Sequence, residues 1–378
     1  MPDKIVIQCN VMEYAIMFFE CNRRVKMQRH WKVQSVLLLL IMSLLWTGCA
    51  QAAAPAYQKF SGVFYNSFDT ITSFIGYAQE KETFDDAFEM VQDMFARYHE
   101  VFDGYNAYEG VNNLYHVNKH AGEGPVQAEK ELIDLLLWLR EKQPMTNGKV
   151  NVALGTVLRI WHNYRTAGVE LPQMSELENA LAHTDFDKII IDEENGTVHF
   201  TDPEIRLDLG AVAKGYTVEI VSQRLLTSDM PSFIISAGGN VRCGQKPLDG
   251  RNRWGVGIQN PEMPSTNKDV MFLTGLSVVT SGDYQRYYTV DGVRYHHLID
   301  PVTLMPGTHM RAVTIVTEDS GLADLLSTAV FLMPYEEGRA YVDSLDGVEA
   351  YWVLNDGSVR YTDGMGKMLS SLGATAKD

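Results

Sequence analysis

Cysteines and long apolar runs are both scarce in this sequence, and each shortage limits the class of protein. Only four cysteines occur among 378 residues, and three of them, Cys9, Cys21 and Cys49, fall near the N-terminus. Cys243 stands alone in the rest of the chain, so a disulfide framework is excluded there. The sequence also lacks internal repeats, low-complexity tracts and a Pro/Gly-rich linker, which argues against a repeat array.

Positive charge is also in short supply. Lysine and arginine total 32 against 48 aspartates and glutamates, which gives a formal net charge of -16. Nucleic-acid binding needs stripes of lysine and arginine, so we expect no nucleic-acid partner. A phosphate-bearing ligand would then be held by metal and backbone rather than by bulk charge. With 46% hydrophobic residues, a chain of this length can bury a large core.

The most apolar stretch covers residues 33–46, after Arg29 and Lys32. It is too short to span a bilayer comfortably and is typical of a signal peptide. Small residues precede Cys49, as lipoprotein processing requires, so we expect residues 27–48 to be a lipoprotein signal peptide and Cys49 to be lipidated. Ordinary cleavage and an uncleaved anchor are the alternatives. Met27 would start a signal of normal length, which leaves translation of residues 1–26 open.

These features predict how the chain is divided and where the protein lies. Residues 49–58 would be a tether, residues 59–366 the folded domain and residues 367–378 a flexible tail. An acyl chain on Cys49 would hold the domain on the membrane surface. We therefore expect a lipid-anchored protein on the outer face of the cytoplasmic membrane or the periplasmic side of a bacterial envelope.

Helical and alternating patterns follow one another without a regular βαβ order, which predicts a mixed α+β fold with antiparallel hairpins. Capping patterns at Thr83 and Ser175 predict two helix starts. Further helices are expected over residues 129–140, 211–225, 322–331 and 335–344. Strands are expected over residues 188–192, 197–200, 232–236, 254–258, 270–274, 313–317 and 350–354.

Asp324 and Thr328 lie four residues apart in an apolar helical segment. This spacing places a carboxylate and a hydroxyl on one helical face, a pair of hard oxygens suited to Mg²⁺. The alternative is structural, with a carboxylate near a helix N-terminus and a buried threonine that bonds back to a carbonyl.

Two glycine-containing segments resemble places where a ligand approaches backbone. Residues 207–216 predict a strand, a turn at Gly210 and a helix N-terminus with Lys214 nearby, which suits an anion. The alternative is a plain connection with Asp208 as the cap. The segment lacks the dinucleotide and Walker fingerprints. Residues 234–240 predict a strand that ends in two glycines, where backbone could approach a flat ligand or could simply turn.

The segment 280–286 predicts a turn, and an imidazole pair follows at His296 and His297. If these histidines lie on a strand, one of them points outward. Asp300 follows within reach to fix a tautomer, and Asp283 lies just upstream. A lone histidine is more often structural than catalytic, so both interpretations stay open.

Six short motifs occur in order along the chain: Phe68-Asp-Thr70, Leu207-Asp-Leu-Gly-Ala-Val-Ala-Lys-Gly215, Ala237-Gly-Gly-Asn240, Thr280-Ser-Gly-Asp-Tyr284, His297-Leu-Ile-Asp-Pro301, and Ala323-Asp324 through Ser327-Thr328. Together they resemble the motifs of ApbE-type FAD:protein FMN transferases, which are flavin transferase lipoproteins. The resemblance covers about residues 60–364. It implies an architecture like that of ApbE proteins and T-folds, with largely antiparallel sheets packed with helices.

The resemblance also implies a Mg²⁺-dependent enzyme that binds FAD. A threonine or serine hydroxyl of an exported target protein would attack the pyrophosphate, taking FMN and releasing AMP. By the family pattern, the metal would be held by Asp324, Thr328 and the Ala211 carbonyl, with Ser327 beside them. Proton transfer would fall to His297, with Asp283 in reserve. The implied flavin and adenine contacts are Phe68, Tyr105, Lys149, Val150, Asn151, Asp208, Lys214 and Leu298.

This chain departs from the family pattern at two places. Asn151 stands where many members have an acidic residue, and the segment 300–306 lacks the usual glycine after Thr303. Both departures concern details of FAD contact. Two other functions stay open, namely hydrolysis of FAD to FMN and AMP, and a flavin-binding lipoprotein without chemistry.

The C-terminal segment contains Gly373-Ala-Thr375, which partly resembles the Ser/Thr-Gly-Ala-Thr sequence that such enzymes modify in their acceptors. A chance match is one interpretation. Self-modification at Thr375 is the other.

Overall fold

The computed structural model describes residues 57–378. The expected extension 1–26, the expected signal peptide 27–48, Cys49 and the tether as far as residue 56 lie outside the described residues. In the described part, no helix combines the length and the apolar composition needed to cross a bilayer. Export and lipidation therefore stay predictions.

The described residues form fifteen strands and nine helices. The strands are β1 (Gln58–Ser67), β2 (Thr70–Ala78), β3 (Val126–Gln127), β4 (Ile189–Asp192), β5 (Thr197–Phe200), β6 (Phe233–Ala237), β7 (Asn240–Cys243), β8 (Trp254–Gln259), β9 (Asn267–Leu273), β10 (Ser277–Gly282), β11 (Tyr287–Val290), β12 (Val293–His296), β13 (Met310–Thr317), β14 (Glu349–Leu354) and β15 (Val359–Tyr361). The helices are α1 (Lys81–Phe102), α2 (Leu114–Lys119), α3 (Lys130–Lys142), α4 (Gly155–Ala167), α5 (Met174–Leu181), α6 (Ala213–Leu226), α7 (Ser320–Phe331), α8 (Tyr335–Asp343) and α9 (Asp363–Gly366).

An eight-stranded sheet forms the centre, in the order β1-β2-β6-β7-β10-β13-β14-β15. Every neighbouring pair in it is antiparallel. Three small antiparallel sheets accompany it, in the orders β3-β5-β4, β8-β9 and β11-β12. The predicted mixed fold with antiparallel hairpins is confirmed, and every predicted strand segment falls on an observed strand.

The two faces of the central sheet are covered differently. On one face, Phe74 and Phe233 pack against Phe84 and Phe95 of α1, together with Val221 of α6. Because side chains alternate along a strand, neighbouring positions bury the opposite face. There, the hairpin β8–β9 and the C-terminal segment supply the cover, through residues such as Trp254, Met271 and Leu369, packed on Tyr77 and Val316. Helices α6 and α7 thus lie on the face opposite the hairpin.

Three local predictions are wrong. Helix α1 begins at Lys81 and α5 at Met174, two residues and one residue before the caps expected at Thr83 and Ser175, and neither has a side-chain cap. The turn expected over residues 280–286 begins only at Asp283, because residues 280–282 pair with β13 as the end of β10.

The segment 367–378, for which the sequence predicts a flexible tail, makes defined contacts. Leu369 is buried, and Ser371 Oγ donates a hydrogen bond to Asp269 of β9. The Ala376 carbonyl accepts from Asn252 N at 2.8 Å. These contacts place the segment beside the Ser277 end of β10, since Thr274 Oγ1 also donates to the Asn252 carbonyl.

Candidate active site

Helices α6 and α7 meet where Gly215 faces Asp324. Gly215 N donates a hydrogen bond of 2.8 Å to Asp324 Oδ2. A Cβ atom at Gly215 would overlap both Asp324 Cβ and the Ser320 carbonyl oxygen. Glycine is therefore required here by close approach, although its backbone is helical. The motif that ends in Lys214-Gly215 brings the start of α6 against α7.

Asp324 and Thr328 have the geometry expected of a hard-oxygen pair. Both are buried and lie one turn apart on α7. Asp324 Oδ2 is 3.7 Å from Lys214 Nζ, whereas Asp324 Oδ1 and the Thr328 hydroxyl have no hydrogen-bond partner among residues 57–378. Of the structural alternative, the bond from Thr328 to a carbonyl is absent among the described residues, and Asp319 rather than Asp324 caps α7 by accepting from Leu322 N. These free oxygens suit a divalent cation.

Ser327 and Ala211 fit a metal site less directly. Ser327 is fully buried, and its hydroxyl is committed to Ser281 Oγ and to the Asp324 carbonyl, each at 2.9 Å. That arrangement does not support its predicted role as a ligand. Ala211 lies half-buried in the turn before α6. No cluster of three or more His, Cys, Asp or Glu occurs in the described chain, so neutral oxygens would have to supplement Asp324.

The glycine pair after β6 lies next to the contact between α6 and α7. Gly238 and Gly239 have φ of 53° and 97°, a left-handed region that favours glycine. A side chain at Gly238 would overlap Thr70. Asn240 follows, buried beside Gly215, and its Nδ2 has no partner among the described residues. The predicted close approach of backbone at this turn is thus structurally possible.

Tyr105 and Asp208 meet across 103 positions of sequence. Tyr105 Oη donates to Asp208 Oδ2 at 2.9 Å, and Asp208 Oδ1 accepts from Gly210 N at 2.8 Å. The alternative in which Asp208 caps the helix is wrong, since Val212 is the N-cap. Removal of the hydroxyl from water, aided by the Asp208 charge, raises the pKa of Tyr105. The Tyr105 ring is 42% exposed, with its centroid 4.8 Å from that of His162.

The two adjacent histidines have different roles in the structure. His296 is buried, its Nε2 donates to the Gly307 carbonyl at 2.7 Å, and its Nδ1 accepts from Leu298 N at 3.2 Å. Both ring nitrogens of His296 are therefore committed. His297 is only partly buried, yet its Nδ1 is buried and has no partner among the described residues. His297 is the histidine whose ring remains available to a ligand.

Positive charges surround His297. Burial, followed by the charges of Arg286, His296, Arg165 and Lys214, lowers the pKa of His297 to about 3. Its imidazole is therefore neutral near pH 7. The acidic composition predicted that a bound phosphate would be held by metal and backbone rather than by bulk charge, and it did not indicate this local group of cations. Three cationic side chains from separate segments converge here, which favours an anionic ligand.

Phe68 closes one side of this basic region. It has φ of 53°, and its carbonyl accepts from Arg286 Nη2 at 3.4 Å. Its amide donates to His99 Nδ1 at 3.2 Å, and its ring packs edge-on against Phe95. A non-glycine residue at positive φ is strained and must be held by such contacts. The backbone of the first motif therefore lies beside Arg286.

Asp283 directly follows strand β10 and lies close to His296. Its Oδ2 accepts from Arg311 Nε at 2.6 Å, and its Oδ1 is 3.9 Å from Arg294. It lines a cavity of about 270 Å³ together with His296. Because Arg311 neutralises Asp283, and because it adjoins the committed histidine, the structure does not support Asp283 as the reserve base.

The segment 149–151 and Leu298 are committed to protein contacts. Lys149 Nζ bonds to Asp300 Oδ2 at 3.1 Å, so Asp300 does not orient either histidine as expected. Asn151 Nδ2 donates to the Thr184 carbonyl at 2.7 Å. Val150 and Leu298 are buried in apolar clusters. These four residues shape the walls of the fold, and their predicted flavin contacts remain predictions.

The sequence patterns did not indicate His162 and Arg165 as site residues. Both lie on α4, and Arg165 Nη2 is 3.2 Å from His162 Nδ1. Burial lowers the pKa of His162, and Arg165 lowers it further. The polar residues of α4 recur with helical spacing opposite buried Val157 and Trp161, which is the one signal that could have pointed to this face.

Comparisons with known proteins agree with this geometry. The family model described as "ApbE family" matches residues 68–352. The FAD:protein FMN transferase of Treponema pallidum is 34% identical over 266 residues, which is 66% of this chain and 72% of the relative. A protein of the same name from Klebsiella pneumoniae is 28% identical over 242 residues, which is 64% of this chain and 74% of the relative. The solved structure of the ApbE protein from Thermotoga maritima has a TM-score of 0.73 and 28% identity, covering 81% of this chain and 98% of that one.

Proposed function

Because the chain belongs to the ApbE family, we propose that it transfers FMN from FAD to a hydroxyl group of an acceptor protein and releases AMP. The observation that carries this proposal beyond family membership is the contact between α6 and α7. There, the Gly215 amide holds Asp324 Oδ2, and the Lys214 ammonium lies beside the free oxygens of Asp324 and Thr328. A cation next to a carboxylate and a hydroxyl that can hold a metal ion is what a diphosphate with its metal ion requires.

Mg²⁺ fits the residues at this contact. Asp324 Oδ1 and the Thr328 hydroxyl are hard oxygens one turn apart without other partners in the described chain, and the Ala211 carbonyl is a further candidate. Bound Mg²⁺ would supply charge neutralisation for phosphate oxygens. Magnesium usually keeps several non-protein ligands, so one carboxylate with neutral oxygens is a reasonable protein share.

The chain's own residues would bind and orient the rest of FAD. Arg286 and Arg165 lie where the negative diphosphate is best compensated, since both act on His297 together with Lys214. The adjacent rings of Tyr105 and His162, whose planes are 35° apart, offer a partly exposed aromatic surface for a flat ring system. Asp208 holds the Tyr105 hydroxyl and thereby fixes the orientation of that surface.

We propose that His297 is the base that accepts the proton of the acceptor hydroxyl. The acceptor oxygen bonds to the phosphorus of the FMN half, the bond from that phosphorus to the bridging oxygen breaks, and AMP leaves with the electron pair. The proton goes to His297 Nε2, the ring nitrogen that is not buried. A pKa near 3 makes the free imidazole a weak base, but the charge of bound diphosphate offsets Arg286, Arg165 and Lys214. It therefore raises the pKa of His297 in the complex.

The acceptor and the location are also proposals. We expect an exported protein that presents a threonine or serine in a Ser/Thr-Gly-Ala-Thr-like sequence. Lipidation at Cys49 would hold this enzyme at the outer face of the cytoplasmic membrane or the periplasmic side of the envelope. Radiolabelled fatty acid incorporated by the wild type, and absent from a Cys49→Ser variant, is the expected result; equal label in both would exclude the anchor.

The direct test is to incubate the protein with FAD, Mg²⁺ and a domain that carries an acceptor threonine. We expect one AMP per acceptor modified, and an acceptor mass raised by one FMN less one water. Free FMN formed equally well without acceptor would instead indicate an FAD hydrolase. Retention of intact FAD without AMP would indicate a binding protein without chemistry.

A further inference from the structure

Two hydrogen bonds in opposite directions join α6 and α7. Gly215 N donates to Asp324 Oδ2 at 2.8 Å, and Ser320 N donates to Glu219 Oε2 at 2.9 Å. On each helix the two participating residues are four positions apart, so the bonds lie one turn apart along antiparallel helices. We call them the upper rung, at Asp324, and the lower rung, at Glu219.

Glu219 is well supplied with partners for a carboxylate in this position. Its side chain is 13% exposed, and Oε2 is 3.7 Å from Nε of Arg242, which is itself buried. Its other oxygen accepts from Gln223 Nε2 at 2.6 Å. Arg242 is itself a residue of β7, and its guanidinium also donates to the Cys243 carbonyl at 2.9 Å. A buried charge pair of this kind sets geometry more than it adds stability.

The upper rung depends on the lower one for its position along the helix axis. Gly215 has no side chain, so the polar contacts between the helices at the level of Asp324 are the Gly215 amide bond and the Lys214 ammonium at 3.7 Å. Buried Ser222 Oγ, Ser320 Oγ and Asn240 Nδ2 have no partners among the described residues, so they add no competing bond. The Glu219 carboxylate is thus the polar side chain that fixes the start of α7 against α6.

We propose that Glu219, backed by Arg242, is a positioning residue that sets the register of α7 so that Asp324 and Thr328 can bind the divalent cation. This inference rests on the proposed function for the identity of the site. Glu219 does not touch substrate or metal and acts only through the Ser320 amide. Supporting residues behind metal ligands commonly change metal affinity or activity by about 10- to 100-fold.

The test compares Glu219→Ala with Glu219→Gln. Glutamine keeps an acceptor for Ser320 N, whereas alanine removes the lower rung. Binding of Mn²⁺ alone is measured from the electron paramagnetic resonance signal of the free ion, and the Mg²⁺ concentration for half-maximal AMP release is measured separately. We expect both constants to weaken about 10-fold in Glu219→Ala and to recover most of that loss in Glu219→Gln.

Two controls separate positioning from general stability. Gln223→Ala removes the partner of the other Glu219 oxygen but leaves the lower rung, and Asp343→Asn removes the surface pair of Arg339 and Asp343 on α8. Both should keep wild-type metal constants. If Glu219→Ala does not fold, Glu219→Asp keeps the charge but shortens the side chain away from Ser320 N, and the same weakening is expected.

The outcomes are distinguishable. Wild-type metal constants in a folded Glu219→Ala protein, with only a lower melting temperature, would overturn the positioning role and leave the proposed function intact. Absence of saturable Mn²⁺ binding and of Mg²⁺-dependent AMP release in the wild type would instead remove the proposed function, and the positioning role with it.

Discussion

The two ends of strand β10 use polar side chains in opposite ways. At the Ser277 end, Ser277 Oγ donates to the Glu318 carbonyl and Thr274 Oγ1 to that of Asn252, so the hydroxyls there are paired. Beyond the Gly282 end, His297 Nδ1 is buried without a partner among the described residues. Arg242 Nε, opposite Ser277, also lacks a hydrogen bond but lies 3.7 Å from the Glu219 carboxylate. An unpaired buried polar group destabilises a fold, and the imidazole beyond the Gly282 end has cationic neighbours as well, which together mark that end as the place for a ligand.

The largest expected effect is at Asp324. Asp324→Ala removes the one carboxylate of the proposed metal site, and we expect AMP release to fall about 1,000-fold, equivalent to about 4 kcal/mol. Asp343→Asn, which breaks an ion pair on the exposed surface of α8, should leave the rate unchanged. Activity of Asp324→Ala within tenfold of wild type would contradict the metal assignment.

The same substitution at the two adjacent histidines should have different effects. His297→Gln should lower kcat about 100- to 1,000-fold, in the range for loss of a general base, with little change in melting temperature at pH 7.5. His296→Gln removes a ring bonded on both sides and should mainly lower the melting temperature. Steady-state kinetics and thermal unfolding of both variants decide this. The opposite pattern would exchange the roles of the two residues.

The pH dependence follows from the lowered pKa of His297 in the free protein, which is about 3. The base acts unprotonated, so kcat/KM should stay flat from neutral pH down to about 4, while the acid limb of kcat lies at higher pH because bound diphosphate raises the pKa of His297. Coincident acid limbs would show that substrate charge has no such effect.

The pH dependence of the free energy of unfolding should also report the ionisation of His297. The pKa of His297 is lowered on folding from 6.5 to about 3, so protonation favours the unfolded chain. Stability from this group is complete above pH 6.5 and is lost as pH falls toward 3. At pH 5 the loss is about 2 kcal/mol, so His297→Gln should gain on the wild type in denaturant unfolding between pH 7.5 and pH 5. An unchanged difference would contradict the burial of the neutral imidazole.

Gly215→Ala should give a smaller loss of rate than removal of Asp324. The new methyl group would overlap Asp324 and the Ser320 carbonyl, which costs about 1–3 kcal/mol of stability by overpacking. We expect AMP release to fall about 10- to 100-fold, because the overlap displaces Asp324 at the contact between α6 and α7. Gly338→Ala on α8, where the nearest atom is 3.3 Å from the new Cβ, is the matched control.

The smallest effect is expected at Thr375. It follows the turn Ser370–Leu372 and belongs to the segment bonded beside the Ser277 end of β10, on the face opposite α6 and α7. Modification within one molecule should therefore not occur. Thr375→Ala should release AMP at the wild-type rate, and intact mass after incubation with FAD and Mg²⁺ should show no adduct. A concentration-independent FMN adduct on Thr375 would contradict this arrangement of the two ends.

The helix pattern of α7 and the glycine turn after β6 could be predicted from sequence, because local spacing determines which side chains share a face. The i,i+4 relation of Asp324 and Thr328 is of this kind. Local spacing could not show which of His296 and His297 has a free ring, because His296 is occupied by the Gly307 carbonyl, eleven residues further along the chain. The basic region could not be predicted either, because Arg165 and Arg286 come together only through tertiary packing. Composition shows only that acidic residues outnumber basic ones in the chain as a whole.

Local capping rules failed for a related reason. Helix α1 begins after Glu80 and α5 after Gln173, and neither of these residues caps its helix through a side chain, so Thr83 and Ser175 fall inside the first turns. Strand β1 escaped prediction although Phe60 and Phe64 alternate toward α1, because exposed Val63 and Tyr65 fill the intervening positions and hide the alternation.

Metal binding at α7 is tested most directly by a crystal structure with FAD and Mn²⁺, with the cation located by anomalous scattering. We predict an anomalous peak bound to Asp324 Oδ1 and Thr328 Oγ1, with the diphosphate of FAD beside Lys214. A diphosphate bound elsewhere, with no peak at those two oxygens, would contradict it.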